Sequence, residues 1–318
     1  MFTSTLLFGV YLMLTGKTWF SVWLGLEINL LSFLPMILLA SKNSNEGGLK
    51  YFLIQATASL IILQASFTWF ILPTPLLFFL IPLSLKLGIA PFHFWLPDVV
   101  KNLTWMLNLT LLTVQKIGPL YLLTTIGGAN KLFLYVISAI SVMVGALGGV
   151  NETDIRKLLA FSSISHMGWM LVGAMISIST WVMYLVVYMF MSFSLIILLH
   201  KMNILNLSQI TFKEKNSIMI MLLFLSLGGF PPFLGFAPKW AILVGVVEFS
   251  LNLSVVLVLS SVVTLFYYIR AGLTTLSLSY SGTPSSSYIK LNILPFMFIC
   301  MNITGGAFYM LMWSSFML

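Results

Sequence analysis

Long apolar runs alternate with short polar joints along almost the whole chain. A helix crossing the hydrocarbon of a bilayer needs about 20 apolar residues. The pattern predicts eleven such spans, at 1–16, 19–41, 49–72, 75–97, 103–126, 131–149, 155–176, 180–200, 216–248, 252–272 and 291–314. The first run lacks a basic start and a small-residue cleavage site, so it reads as a span rather than a leader. Two runs are irregular. The fourth is interrupted in LSLKLGIAPFHFWLPD, residues 83–98, by Gly88, Pro91 and Pro97. The ninth is too long for one straight span and is interrupted in SLGGFPPFLGFAPKW, residues 226–240, by Gly229, Pro231, Pro232 and Pro238. Proline in a membrane helix frees backbone groups that lipid cannot satisfy. Both stretches therefore predict broken helices beside a polar space inside the protein.

The two interruptions can be laid on each other. Gly88 then meets Gly229, Pro91 meets Pro232, Phe92 meets Phe233, Trp95 meets Phe236 and Pro97 meets Pro238, while Asp98 meets Lys239. Each is the fourth span of a five-span block. Residues 1–127 would form the first block and 128–273 the second. An odd number of spans inverts the second block, as in transporters built from inverted repeats with matching broken helices. Residues 274–318 hold a Ser-rich link and the last span. The expected fold is thus an all-α polytopic membrane protein in a single membrane domain.

Composition agrees. The 318 residues are 60% hydrophobic and only 7% charged, against about 25% charged for a soluble domain. A soluble enzyme or a nucleic-acid binder is excluded, because the net charge of +8 is spread thinly. Of the 15 basic residues, ten fall in loops or at span ends that share a side with the N-terminus, two on the opposite side, and Lys86, Lys116 and Lys239 deep inside spans. That asymmetry places the N-terminus on the positive side, matrix or cytoplasm-like, and the C-terminus on the other. The single Cys300 excludes an internal disulfide framework and an all-cysteine iron–sulfur site. The three histidines, His93, His166 and His200, lie far apart, with no ligand partner at metal spacing.

Ionisable residues at mid-depth are expensive and mark functional positions. Glu27 lies about 12 Å into its span at the helical rise per residue. Lys86 and Lys116 are mid-span, too far from either end to snorkel. His166 is mid-span beside Ser162, Ser163 and Ser165, with Ser162 on its own face. Lys239 follows the second break. By contrast Lys17, Lys50 and Lys131 read as interfacial lysines. Glu248 reads as a span-end carboxylate, and His93 as a polar residue serving the break.

Six stretches carry a family resemblance: WLGLEINLLSF, KYFLIQATAS, LKLGIAPFHFWLPD, TWMLNLTLLTVQKIGPL, RKLLAFSSISHMGWML and LSLGGFPPFLGFAPKW. In this order they resemble the antiporter-like membrane subunits of NADH–ubiquinone oxidoreductase (respiratory complex I), specifically the subunit 2 family in its shortened animal mitochondrial form. The resemblance implies a mitochondrial inner-membrane location and eleven helices. It implies a proton path through Glu27, Lys86, Lys116, His166 and Lys239. Flavin, iron–sulfur clusters and ubiquinone would belong to other subunits, and this chain would hold no cofactor or metal. Its partners would be neighbouring small and antiporter-like membrane subunits and phospholipids, with no nucleic acid. Two alternatives stay open at this point: a cation/proton antiporter outside the respiratory chain, and a structural subunit that conducts nothing.

Overall fold

The computed structural model describes residues 2–40, 44–68, 75–128, 130–212, 217–277, 300–302 and 304–306. Among these residues the regular structure is helical, apart from one isolated antiparallel bridge between Asp154 and Asn206. Helices are what the sequence requires, since a lipid-facing backbone must satisfy its hydrogen bonds within its own segment. Seven described helices are long and apolar enough to cross a membrane, and four shorter apolar ones accompany them. The chain is a multi-pass membrane protein.

The chain falls into two compact units, 1–141 and 142–318. The first contains α1 (Phe2–Thr15), α2 (Trp19–Ala40), α3 (Ser44–Thr68), α4 (Pro75–Leu87), α5 (Trp95–Asn102), α6 (Trp105–Leu112) and α7 (Val114–Gly127). The following α8 (Lys131–Gly149) runs across the boundary. α1 packs on α2 where Gly9 faces Gly25: a Cβ on either would sit 3.0 Å from the other's carbonyl oxygen. Small residues let membrane helices approach this closely. α2 then packs on α3, α3 on α4 and α5, and α7 on α4, α1 and α6.

The second unit holds α9 (Ile155–Ile176), α10 (Ile178–Met202), a 3-10 turn (Leu207–Phe212), α11 (Ser217–Gly228), α12 (Phe236–Val247) and α13 (Leu251–Ser277). α9 packs on α10 and α12, and α11 on α13. One residue separates α9 from α10: Ser177, whose hydroxyl accepts from the Thr180 amide at 3.3 Å and starts the next helix.

Several boundaries differ from the sequence reading, α13 for instance running to Ser277 rather than 272. α3 begins at Ser44 rather than 49, so Lys50 stands in its second turn and pairs with Asp98 of α5 at 2.8 Å. The second half of the fourth span continues to Asn102 rather than 97. Pro97 therefore lies in the first turn of α5, where a missing N–H costs no helical bond. The fifth span is itself interrupted, at Thr113. The link from 278 and most of the last predicted span, 291–314, lie outside the described residues.

Candidate functional site

The two breaks close in the same way. α4 stops at Leu87 because Gly88 takes φ +67°, a left-handed conformation that a side chain disfavours. The Gly88 amide donates to Leu85 O and the Ile89 amide to Ser84 O, both at 3.1 Å. That is the paired Schellman ending of a helix. At the second break Gly229 takes φ +78°, and its amide donates to Ser226 O while that of Phe230 donates to Leu225 O, again at 3.1 Å. Pro238 occupies the first turn of α12 as Pro97 does in α5. Pro91, Pro231 and Pro232 lie in the linking turns.

Carbonyls at the end of α4 also accept from side chains of neighbouring helices. Gln55 Nε2 donates to Lys86 O at 3.1 Å, and Trp95 Nε1 donates to Leu85 O at 3.0 Å. Lys86 itself is 7% exposed. It opens on a cavity that Lys116 also lines, together with Asn29, Tyr51, Gln55 and Gln115. Leucines 26, 30, 87, 96 and 111, with Trp95 and Pro119, complete the wall. The cavity offers about 20 Å³ to the centre of a water-sized sphere, enough for one water by the usual ~10–15 Å³ requirement.

The interruption of the fifth span delivers Lys116 to this cavity. Thr113 leaves helical geometry at φ −117°, ψ −77°, and its hydroxyl donates to Leu109 O at 2.6 Å. Pro119 has no amide to offer Gln115 O, the acceptor four residues earlier. Lys116 thus begins α7 beside the cavity, 4% exposed. Glu27 is partly exposed on α2 and forms no salt bridge with Lys86 among the described residues.

In the second unit, Lys239 is 6% exposed. Its Nζ donates to Gly228 O at 2.8 Å, and stands 5.8 Å from the centre of the Trp169 ring. A cation at the last carbonyl of α11 complements the negative end of that helix. His166 is buried, with Nδ1 at 2.8 Å from the Tyr184 hydroxyl and the Tyr188 ring 5.0 Å away. The serine patch expected to serve His166 does something else. Ser162, Ser163 and Ser165 donate to Leu159 O, Ala160 O and Ser162 O of their own helix. In a helix that back-bonding is the nearest acceptor a short hydroxyl can reach. The histidine is held by a tyrosine from α10 instead.

Tyr188 is buried on α10, and Tyr267 and Tyr268 are buried on α13 with ring centres 4.7 Å apart. Sequence reasoning missed all four tyrosines, although Tyr184 and Tyr188 stand four apart on one face of an apolar span. It also missed Asn29, Tyr51, Gln55 and Gln115 around the first cavity. Glu248 ends α12 and is exposed, as expected of a span-end carboxylate. His93 lies in the first linking turn against the Phe94 ring, 4.3 Å between centres. The structure brings Lys86 and Lys116 to one cavity in the first unit; in the second, Lys239 faces Trp169 of α9 while His166 of the same helix faces Tyr184 and Tyr188 of α10.

Known proteins share this plan. The family model described as NADH:quinone oxidoreductase/Mrp antiporter, transmembrane, matches residues 16–74 and 70–264. NADH-ubiquinone oxidoreductase chain 2 of Locusta migratoria is 37% identical over 309 residues, 92% of this chain and 90% of that one. The protein of the same name from Aedes aegypti is 45% identical over 296 residues, 88% of this chain and 86% of its own. Among solved structures, a chain of respiratory complex I from Thermus thermophilus with bound aureothin has a TM-score of 0.81 at 22% identity, covering 96% of this chain and 75% of that one. A chain of the Mrp complex from a Dietzia species gives 0.73 at 18% identity, covering 90% of this chain and 61% of its own.

Proposed function

This chain belongs to the NADH:quinone oxidoreductase/Mrp antiporter family, in its NADH-ubiquinone oxidoreductase chain 2 branch, and from that premise we propose that it passes protons along Lys86, Lys116, His166 and Lys239. It is an antiporter-like membrane subunit of a proton-translocating NADH:ubiquinone oxidoreductase. The redox chemistry that drives it belongs to other subunits, which carry the flavin, iron–sulfur clusters and ubiquinone. Its neighbours are the small and antiporter-like membrane subunits of that complex and phospholipids, in the mitochondrial inner membrane. Eleven spans, in two inverted five-helix blocks plus a last helix, put the N-terminus in the matrix and the C-terminus in the intermembrane space.

The observation that carries this reading is the shared cavity of Lys86 and Lys116. In this reading Glu27 is the carboxylate that serves Lys86, and weakening its influence releases the Lys86 proton toward Lys116. In the second unit, the bond from Lys239 to Gly228 O holds a proton at the edge of the second break. The matching Schellman closures at Gly88 and Gly229 support two equivalent working breaks.

Neutralising Lys86 (Lys86→Gln) and Lys239 (Lys239→Gln) separately tests the reading in the assembled, reconstituted complex. Each is expected to lower the number of protons moved per NADH oxidised. Unchanged ratios in both would identify a structural subunit that conducts nothing.

A further inference from the structure

The cavity between Lys86 and Lys116 contains two amide groups that the lysines do not account for. Asn29 is 4% exposed and lines the cavity from α2. Its Oδ1 has no hydrogen-bond partner among the described residues. Gln115 lines it from α7. The Tyr51 hydroxyl donates to Gln115 Oε1 at 3.4 Å, which fixes the amide with Nε2 at its other end. That Nε2 also has no partner among the described residues. One group is thus a pure acceptor and the other a pure donor. Buried polar groups are almost always paired, with protein or with ordered water. Two complementary orphans at one water-sized space, between two lysines, share one solution.

Resting on the proton-path reading above, we propose that Asn29 Oδ1 and Gln115 Nε2 clamp a single water that carries the proton from Lys86 to Lys116, making both amides positioning residues for the transfer. The water receives hydrogen bonds from the Lys86 ammonium and from Gln115 Nε2–H, which occupy both lone pairs. Its two O–H bonds then point to Asn29 Oδ1 and to the neutral Lys116 amine. In the transfer an N–H bond of Lys86 breaks and its proton joins the water oxygen. The O–H bond facing Lys116 breaks, and a new N–H bond forms there. Lys86 ends as the neutral amine, Lys116 as the ammonium, and the water is regenerated. Without the Asn29 acceptor or the Gln115 donor, nothing turns the second O–H toward Lys116.

Two measurements on the intact complex test this. A cryo-electron map that resolves water is expected to show density within hydrogen-bonding distance of both Asn29 Oδ1 and Gln115 Nε2. A map with ordered water elsewhere but none there overturns the proposal. Asn29→Leu and Gln115→Met keep side-chain length while removing the amide. Each is expected to slow coupled proton pumping about tenfold or more, as for misplaced reacting groups generally, while Asn29→Ser, which keeps an acceptor, recovers most of the loss. Wild-type pumping in assembled Leu and Met variants, alongside impaired Lys86→Gln, would overturn the clamp and leave the path standing. Normal pumping by Lys86→Gln would instead remove the path itself. Should a variant not assemble, the map of the unmodified complex decides.

Discussion

At the scale of single residues, the chain gives each buried lysine and histidine a specific polar surrounding. Lys239 is tied to the last carbonyl of α11, while Lys86 shares its space with Lys116 and three amides. His166 takes its orientation from the Tyr184 hydroxyl at 2.8 Å. Tyr184→Phe deletes that partner and keeps the ring. A hydrogen bond of this kind contributes about 1 kcal/mol, so the assembled complex is expected to lose thermal stability by a few degrees at most and to pump more slowly. Full pumping in that variant would mean that the tyrosine only fills space. The charged members of the site were legible in the sequence because an ionisable group at mid-span is costly and therefore conspicuous. Asn29, Gln115 and the four tyrosines were not. Amides and phenols are tolerated in membrane helices, and only packing reveals which of them converge.

At the scale of elements, both breaks were readable from Gly88, Pro91, Gly229 and Pro232, since no other residues end a membrane helix so plainly. The interruption at Thr113 was hidden. Thr113 is an ordinary helical residue type, and nothing in its own chemistry marks the distorted backbone it adopts between α6 and α7. Proline placement was partly misread: Pro97 and Pro238 start half-helices rather than breaking them. The glycines at the two closures matter more. Gly229→Ala forces a left-handed alanine, at a cost of about 1–2 kcal/mol, and its methyl would sit 3.0 Å from Lys239 Cδ. The variant is expected to displace Lys239 from Gly228 O and to reduce pumping more than any loss of stability explains. A structure of the variant with that 2.8 Å bond intact would contradict this.

At the scale of the whole molecule, hydropathy predicted an all-helical membrane chain of eleven spans, and the described residues are all-helical with seven helices long and apolar enough to cross a membrane, because lipid leaves the backbone few options. The proposed side of the membrane rests on the distribution of basic residues. How a buried lysine becomes a step in proton transfer depends on which helices meet, and that lay beyond the pattern. The central claim is that Lys116 receives a proton that this subunit moves. It is tested most directly by the number of protons translocated per NADH oxidised in an assembled, reconstituted complex carrying Lys116→Met. The account predicts that pumping is abolished or sharply reduced while assembly persists. Normal pumping by that complex would contradict it.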